Sequence, residues 1–450
     1  MEGVSESLKL GATYSQMKTS RVTCFPTSGN GSYYPSNVIS VNLPSRSIVR
    51  LGSLSAYFNC NITGLTADAA NCTNAQIPYA HQLFSRVQFF VNNIPVNTSN
   101  YYDVLATALA KSTGSLDWAQ TRIAQGALAL VQLADDCDAV AQRVLTTAQN
   151  IATSKNQYMV LDDILGLPRC NGGGGVIDTG VFGDVRIELT LNTAQCLKVI
   201  ALGTAVAAGL ANNISYNISD FKVAVDVISS VSGAYLSMME ARLRDPRPLH
   251  LAFQNYQNSV QLNSNANRVG VSTNCLDIVL IAPLSAAWET RAVQTATDLE
   301  GPRYSFISSR TLADANQTRL NFKIGSVQYP QAEIDNALQI LDLTQNTFGH
   351  SDLQHRNLLC VGVSSGAQGA HTFSRSNFLD NNCIWAQALS SESEGWASKI
   401  LAGVSTNQAN SEITVSSSNF VPAGGYIFVS CLYTSVLEYD PATANVRVIA

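Results

Sequence analysis

Apolar and polar residues alternate with a period of two along several short stretches of this chain, and recur every three or four residues along one long stretch. The segment FSRVQFFVNNIPVNTSNYYD at residues 84–103 stands at the change from one to the other. Val87, Phe89 and Val91 alternate with Gln88 and Phe90, as in a strand with one face toward a core. Asn92 and Asn93 tolerate positive φ, and Pro95 has no N–H to give to a ladder, so the strand is expected to stop near Asn92. The cleanest alternation is VRIELTLN at 185–192, with Val185, Ile187, Leu189 and Leu191 inward. The segment YNISDFKVAVDVIS at 216–229 alternates Val223, Val225 and Val227 with Lys222, Ala224 and Asp226. These two read as antiparallel partners, each with one buried face, that close a first all-β unit.

Further strands are expected at 38–43 and 48–62, joined by a Pro44-Ser45 turn, and at 157–161. Later in the chain they are expected at 249–256, 268–282, 304–307, 319–324, 327–330, 412–416, 426–439 and 446–449. In RLNFKI at 319–324, Leu320, Phe322 and Ile324 share one face. Period 3.6 appears in Ile123, Ala127, Leu130, Ala134, Cys137, Ala141, Val144, Ala148 and Ile151, an alanine-rich stripe on a helix within an insertion at about 103–152. A second helix, AYLSMMEARLR at 234–244, is stopped by Asp245-Pro246-Arg247-Pro248. Helix-prone stretches lie near 286–297 and at 331–341, and VIALGTAVAAGL at 199–210 reads as a packed loop with a short helix.

The 450 residues favour more than one core. The element order restarts after the prolines. The expected plan is a polar, extended arm at 1–33, a first strand-rich unit at 34–232, a helix and Pro-rich linker at 233–248, and a second unit at 249–450. The fold class is mainly β, with helical insertions.

Composition narrows the function. Charged residues are 13% of the chain, against about 25% in a typical soluble domain. A net charge of -5 and an N-terminus in which Glu2 and Glu6 dilute Lys9, Lys18 and Arg21 argue against nucleic-acid binding. The opening MEGVSESLKLGATYSQMK has no apolar core of a signal peptide, and the twelve-residue run at 199–210 is too short to span a bilayer. Ten cysteines, at 24, 60, 72, 137, 170, 196, 275, 360, 383 and 431, form no CxxC pair. They are expected as buried thiols of a reducing compartment, with a few disulfides as the other reading.

No constellation for catalysis stands out. The five histidines form no HxH or HExxH pair, and His350 and His355 flanking Asp352 read as a solvated loop. Asp135, Asp136 and Asp138, and Asp162 with Asp163, read as solvated faces rather than paired acids. GGGG at 172–175 lacks a following Lys-Ser or Lys-Thr, so it is no phosphate loop, and GVSSGAQG at 362–369 lacks the GxSxG spacing. No catalytic, cofactor-binding or metal site is expected. Sequons at Asn30, Asn61, Asn71, Asn97, Asn213, Asn217 and Asn316 are what an Asn- and Ser-rich chain produces by chance.

The order of segments resembles a known family. SRVQFFVNNIPVNTSNYYDVL, then VRIELTLN, then ISYNISDFKVAVDVI before the helix YLSMMEARL, and later FKIGSVQYP before a short helix, are similar in sequence along the chain to the double jelly-roll major capsid proteins. The likeness is nearest the virophage and polinton-like branch of the adenovirus and tectivirus lineage, and the insertion at 103–152 is longer and richer in alanine than that pattern. The resemblance implies two jelly-roll sandwiches per chain, a pseudo-hexagonal homotrimer tiling an icosahedral shell, and no enzyme activity. It implies as partners further copies of the chain and penton and minor capsid proteins, leaves open an internal membrane, and gives the arm and chain ends inner-face contacts. It places the protein in the virion after synthesis in the host cytoplasm. The rival reading is a carbohydrate-binding jelly roll, lectin-like or a receptor-binding spike, with Tyr33-Tyr34 and Tyr101-Tyr102 stacking on sugars.

Overall fold

Alternation in the sequence becomes alternation of burial in the strands. The computed structural model describes residues 17–29, 31–64, 73–76, 79–114, 156–170, 175–201, 214–230, 237, 240–241, 243–289, 293–294, 303–306, 308, 319–348, 362–364, 371–373, 378, 382–390, 403–407 and 412–449. The first half holds β1 (Met17–Cys24), β2 (Val38–Asn42), β3 (Ile48–Thr63), β4 (Thr73–Gln76), β5 (Phe84–Val91), β6 (Ile94–Pro95), helix α1 (Tyr102–Thr113), β7 (Asn156–Leu161), β8 (Val176–Asp178), β9 (Val185–Leu191), β10 (Lys198–Ala201) and β11 (Ser215–Ser230). Strand β9 buries Val185, Ile187, Leu189 and Leu191, and β5 buries Val87, Phe89 and Val91. Where β5 ends, Asn92 and Asn93 take φ of 49° and 64°, and the two-residue turn brings Ile94 opposite Val91.

The second half holds β12 (Leu249–Leu262), β13 (Asn267–Gly270), β14 (Leu276–Leu284), β15 (Val293–Gln294), β16 (Arg319–Ile324), β17 (Val327–Ile334), helix α2 (Ala337–Thr347), β18 (Gly362–Ser364), β19 (His371–Phe373), β20 (Trp385–Ala388), β21 (Glu412–Ser418), β22 (Tyr426–Asp440) and β23 (Asn445–Ile449). Each half folds into two antiparallel sheets. In the first these run β1-β11-β3-β7 and β2-β9-β5-β6, and in the second β12-β22-β14-β20 and β13-β21-β16-β17. The principal strands of the first half are β1, β2, β3, β5, β6, β7, β9 and β11; those of the second are β12, β13, β14, β16, β17, β20, β21 and β22. Numbered one to eight in chain order, both sets give sheets ordered 1-8-3-6 and 2-7-4-5. That order is a jelly roll, made twice. In both halves a helix interrupts the connection between the fifth and sixth strands.

The two sheets of each half meet through aromatic side chains. Phe58 of β3 stands edge-on to Phe84 of β5 at 5.8 Å and stacks on Phe221 of β11 at 5.7 Å, and in the second half Phe322 of β16 lies 5.4 Å from Trp385 of β20. The halves differ on their outer faces. Strand β3 alternates, with Ser55, Tyr57, Asn59 and Asn61 only half-buried, whereas every residue of β14 is buried. On β14, Val279 and Ile281 join the core of the second sandwich, while Ile278, Leu280, Ala282 and Leu284 join a core shared with the first half. The continuous apolar run LDIVLIAPL is thus the sequence of a strand covered on both sides.

Several expectations are corrected. The arm expected to run to residue 33 contains β1, which pairs with β11 from Met17 opposite Ser230 to Cys24 opposite Val223; an edge strand with a largely solvated outer face needs little apolar alternation. Strands β9 and β11 lie in opposite sheets rather than pairing, because alternation sets which residues point inward but not which strand lies alongside. The stretch 268–282 is two strands, β13 and β14, in different sheets. The turn between them is held by Thr273 N donating to Thr406 Oγ1 at 3.0 Å. The helix expected at 331–341 begins later, at Ala337, after β17 has run to Ile334, and the Asn336 side chain accepts from Leu338 N at 2.9 Å.

Helix was expected near 286–297 and within 199–210, yet Val293 and Val199 lie opposite each other in a parallel pair of β15 and β10. No strand forms over the described part of 304–307, where Phe306 makes a single bridge to Asn382. The start of the expected insertion is α1; its alanine stripe, Ile123 to Ile151, lies outside the described residues, as do 1–16. At 233–248, Ser237, Glu240, Ala241, Leu243 and Arg244 are helical, and Asp245 caps the turn by accepting from Arg247 N. Among the described cysteines no disulfide forms. Burial holds the Cys170, Cys383 and Cys431 thiols at about 12, so at neutral pH they are protonated and inert.

Because β14 serves two cores, Leu280→Ala and Ile281→Ala, on its opposite faces, should each lower stability by about 2–5 kcal/mol. Ser55→Ala on the outer face of β3 should stay within about 0.5 kcal/mol. Urea denaturation followed by circular dichroism checks all three, and a silent Leu280→Ala would show that the second face of β14 is not packed.

Candidate functional site, the junction between the halves

Helix α1 is amphipathic in an unusual sense, for every residue from Tyr102 to Ser112 is buried although Asp103, Thr107 and Lys111 recur at intervals of four. That spacing puts the three on one face. The apolar remainder packs on β5 and on the 3-10 turn Ala80–Leu83, where His81 Nδ1 lies 2.7 Å from the Tyr102 hydroxyl. The two ends of the polar stripe, Asp103 and Lys111, meet a turn of the second half at 303–306.

Asp103 Oδ2 accepts from Arg303 Nε at 2.7 Å, from Asn192 Nδ2 at 2.8 Å and from the Tyr304 hydroxyl at 3.0 Å. Thr107 accepts from Gln82 Nε2 at 3.1 Å, and Lys111 Nζ donates to the Tyr304 carbonyl at 2.7 Å while lying 5.1 Å from the Phe306 ring centre. Arg303 also lies over Trp288, at 5.1 Å. Burial on its own lowers the affinity of the Arg303 guanidinium for its proton, but the Asp103 carboxylate and then Tyr304 more than offset this and hold it above its ordinary range. Burial, and next Asp103, push the Tyr304 phenol well up. The result is a charged pair out of water with its hydrogen bonds directed across the junction.

A second, uncharged network joins β12 to the segment between β6 and α1. Asn97 Nδ2 donates to Asn255 Oδ1 at 2.6 Å, and Asn255 Nδ2 donates to the Val96 carbonyl at 3.2 Å and to Ser435 Oγ at 3.1 Å. Asn258 N donates to Ser99 Oγ at 2.8 Å, and Asn258 Nδ2 to the Asn100 carbonyl at 2.8 Å. Around these, Tyr102 sits 6.1 Å from Tyr256, Tyr101 sits 5.8 Å from Trp288, and Cys170 bridges to Phe253. The Asn255 side chain makes four hydrogen bonds, counting the one from Tyr256 N, and so fixes the register of β12 against the first half.

The residues weighed from sequence fall elsewhere. Tyr33 and Tyr102 are buried and Tyr101 is partly covered in the junction, which removes them as a platform for sugars; Tyr34 is exposed. Asn97 is buried on Asn255, while Asn61 and Asn217 bond each other across β3 and β11. Asp163 is exposed at a turn with φ 50°, and among the described residues no three of His, Cys, Asp and Glu are grouped to hold a metal. His350, His355, Asp135, Asp136, Asp138 and Gly172 to Gly174 lie outside the described residues, and GVSSGAQG is described only at Gly362–Ser364, as β18. Sequence reasoning passed over Asp103, Arg303 and Asn255. The available signal was Asp103, Thr107 and Lys111 at fourfold spacing in an otherwise apolar helix.

A chain of two like-ordered jelly rolls joined through one helix defines a double jelly-roll protein. Solved structures share that fold. The Faustovirus major capsid protein aligns at a TM-score of 0.52 and 8% identity over 96% of this chain and 91% of that one. A chain of the Sputnik virophage, from its cryo-EM structure, aligns at 0.51 and 10% identity over 96% and 88%. No protein-family model and no curated protein sequence matches this chain.

Asp103→Asn would leave Arg303 buried without its counter-charge and should cost about 3–5 kcal/mol, whereas the joint change Asp103→Leu with Arg303→Met should recover most of it. Equilibrium unfolding of the three proteins gives the comparison. Tyr102, Tyr216, Tyr256 and Tyr304 are all held above the ordinary phenol range, by burial first. In the unfolded chain they lose protons near pH 10 and in the folded chain they keep them, so stability is full below about pH 10 and falls above it. The share of the tyrosinate absorbance that belongs to these four should therefore rise together with loss of the β signal in circular dichroism, not before it.

Proposed function

We propose that this chain is a major capsid protein whose homotrimers tile an icosahedral shell. The observation that carries the reading is that two sandwiches of identical strand order lie side by side in one chain, locked by α1 and the Asp103–Arg303 cluster. Three such chains around a threefold axis present six sandwiches, and the tile is a pseudo-hexagon. Tiles of that outline pack edge to edge on a gently curved surface, leaving fivefold corners to penton proteins and other gaps to minor capsid proteins. The low content of charge suits a protein that covers much of its exterior with copies of itself. In this reading the protein acts as a structural component rather than an enzyme, does not bind nucleic acid directly, and resides in the virion after synthesis in the host cytoplasm. The likeness to a Faustovirus major capsid protein supports it.

Light scattering on the purified chain should give about three times 48.1 kDa, and negative-stain images should show six lobes per particle. A monomer at micromolar concentration that binds glycans on an array would replace this reading with a lectin-like one.

A further inference from the structure

The edge of a sheet is a row of backbone groups ready to take a further strand, and proteins blunt it with charge, proline, a bulge or a cover. Sheet β12-β22-β14-β20 ends in β12 on one side and β20 on the other. Along β12, Cys170 of the first half bridges to Phe253, Ser99 Oγ accepts from Asn258 N at 2.8 Å, and the Asn255 side chain accepts from Tyr256 N at 2.9 Å. Strand β20 reads WAQA and pairs with β14 in unbroken register, from Ile281 opposite Trp385 to Ile278 opposite Ala388. It carries no charge, no proline and no bulge of its own.

From Ile384 to Ala388, every backbone group that points away from β14 is nevertheless bonded. Ile384 N donates to the Asn382 carbonyl at 2.8 Å. Thr344 Oγ1 of α2 lies 2.9 Å from the Ile384 carbonyl and accepts from Ala386 N at 3.0 Å. Thr347 Oγ1 repeats the pattern one turn on, donating to the Ala386 carbonyl at 3.0 Å and accepting from Ala388 N at 3.0 Å. The Ala388 carbonyl accepts from Gln387 Nε2 at 3.0 Å. The one proton of Thr344 is also 2.8 Å from the Ile340 carbonyl, so helix and strand share it. At each alternate residue a hydroxyl takes an N–H and meets a C=O, as a neighbouring strand does.

Apolar anchors hold α2 in place. Ile340 is buried in the core of the second sandwich, and Phe348, just past the helix, in the core shared with the first half. Helix α2 occupies the same place in the chain order as α1, but α1 covers a sheet face and α2 a sheet edge. We infer that Thr344 and Thr347 form an autoinhibitory contact that closes the β20 edge to strand addition by a second copy of the chain. A second copy is the partner because uncapping would bare the same short apolar strand on every molecule, and two identical edges pair antiparallel about a twofold axis. Valine in place of both threonines keeps their shape but leaves Ala386 N, Ala388 N and the Ile384 and Ala386 carbonyls without these partners. An added strand relieves that cost. The inference holds whether or not the chain builds shells.

The test combines hydrogen–deuterium exchange, resolved at single amides, with light scattering on the full chain. In the parent protein the Ala386 and Ala388 amides should exchange as slowly as those of Trp385 and Gln387, which face β14. Thr344→Val with Thr347→Val should speed Ala386 and Ala388 by about ten-fold or more at low concentration, whereas Thr344→Ser with Thr347→Ser should leave them at the parent rate. Raising the concentration of the valine protein should lift its mass above the parent's and slow the same two amides again, because the added strand takes them up. Fast exchange at Ala386 and Ala388 in the parent would overturn the cap. A valine protein that keeps the parent's mass at every concentration, or gains mass without renewed protection of these amides, would overturn the blocking role. If circular dichroism shows the double variant unfolded, Thr347→Val alone, which frees the Ala386 carbonyl and Ala388 N, carries the same comparison at Ala388.

Discussion

Sheet β12-β22-β14-β20 has to keep water from both its faces, and the rest of the architecture is arranged so that it can. One face is closed by β13-β21-β16-β17 through Phe322 and Trp385. The other needs an apolar cover from outside its own sandwich, and the first half supplies it with α1 and the segments around Tyr101, Leu167 and Cys170. Apolar packing alone would let the halves slide, since it is non-directional. The directional part comes from Asp103, Asn192, Arg303 and Tyr304 on one side of the junction and from Asn97, Asn255 and Asn258 on the other. A buried ion pair contributes little net stability over apolar substitutes, and its use here is to permit one relative placement of the two sandwiches.

How much of this could be read beforehand depended on what each strand faces. Strands β5, β9 and β16, whose second face carries mostly polar side chains, announced themselves by alternation, and their inward residues follow the sequence pattern. Strand β14 was visible as an apolar run, but a run has no phase, so its split from β13 at the turn around Thr273 was hidden. Strand β1 reads MKTSRVTC, too polar to be noticed, because among the described residues it ladders on β11 alone and solvent takes most of its outer side. Pairing was the harder inference throughout, since β9 and β11 carry equivalent patterns yet belong to opposite sheets.

The junction was less legible than the sandwiches for a related reason. Asp103, Lys111 and Arg303 look in sequence like any solvated charge, and only the partner 200 residues away along the chain makes Asp103 a buried one. The same holds for Asn255, one of many asparagines, whose four bonds depend on Val96, Asn97 and Ser435 arriving from elsewhere. Local propensity carries no information about such distant partners. The overall class was nevertheless reachable, because the order of segments along the chain survives even where each pairing is obscure.

The two halves depend on each other unequally, and synthesis runs in the order that favours the needier one. Domains fold from the N-terminus as the chain leaves the ribosome. The half that emerges first has a polar outer sheet and hides its apolar residues within its own sandwich, apart from α1 and the segments around Tyr101, Leu167 and Cys170. The half that emerges second would show a slab of Leu251, Phe253, Leu280 and Phe428 to water were its cover not already waiting. Translated in the reverse order, the same two sandwiches would leave that slab exposed until the cover arrived, so the order in which the gene sets them down shortens the time the apolar face stands open.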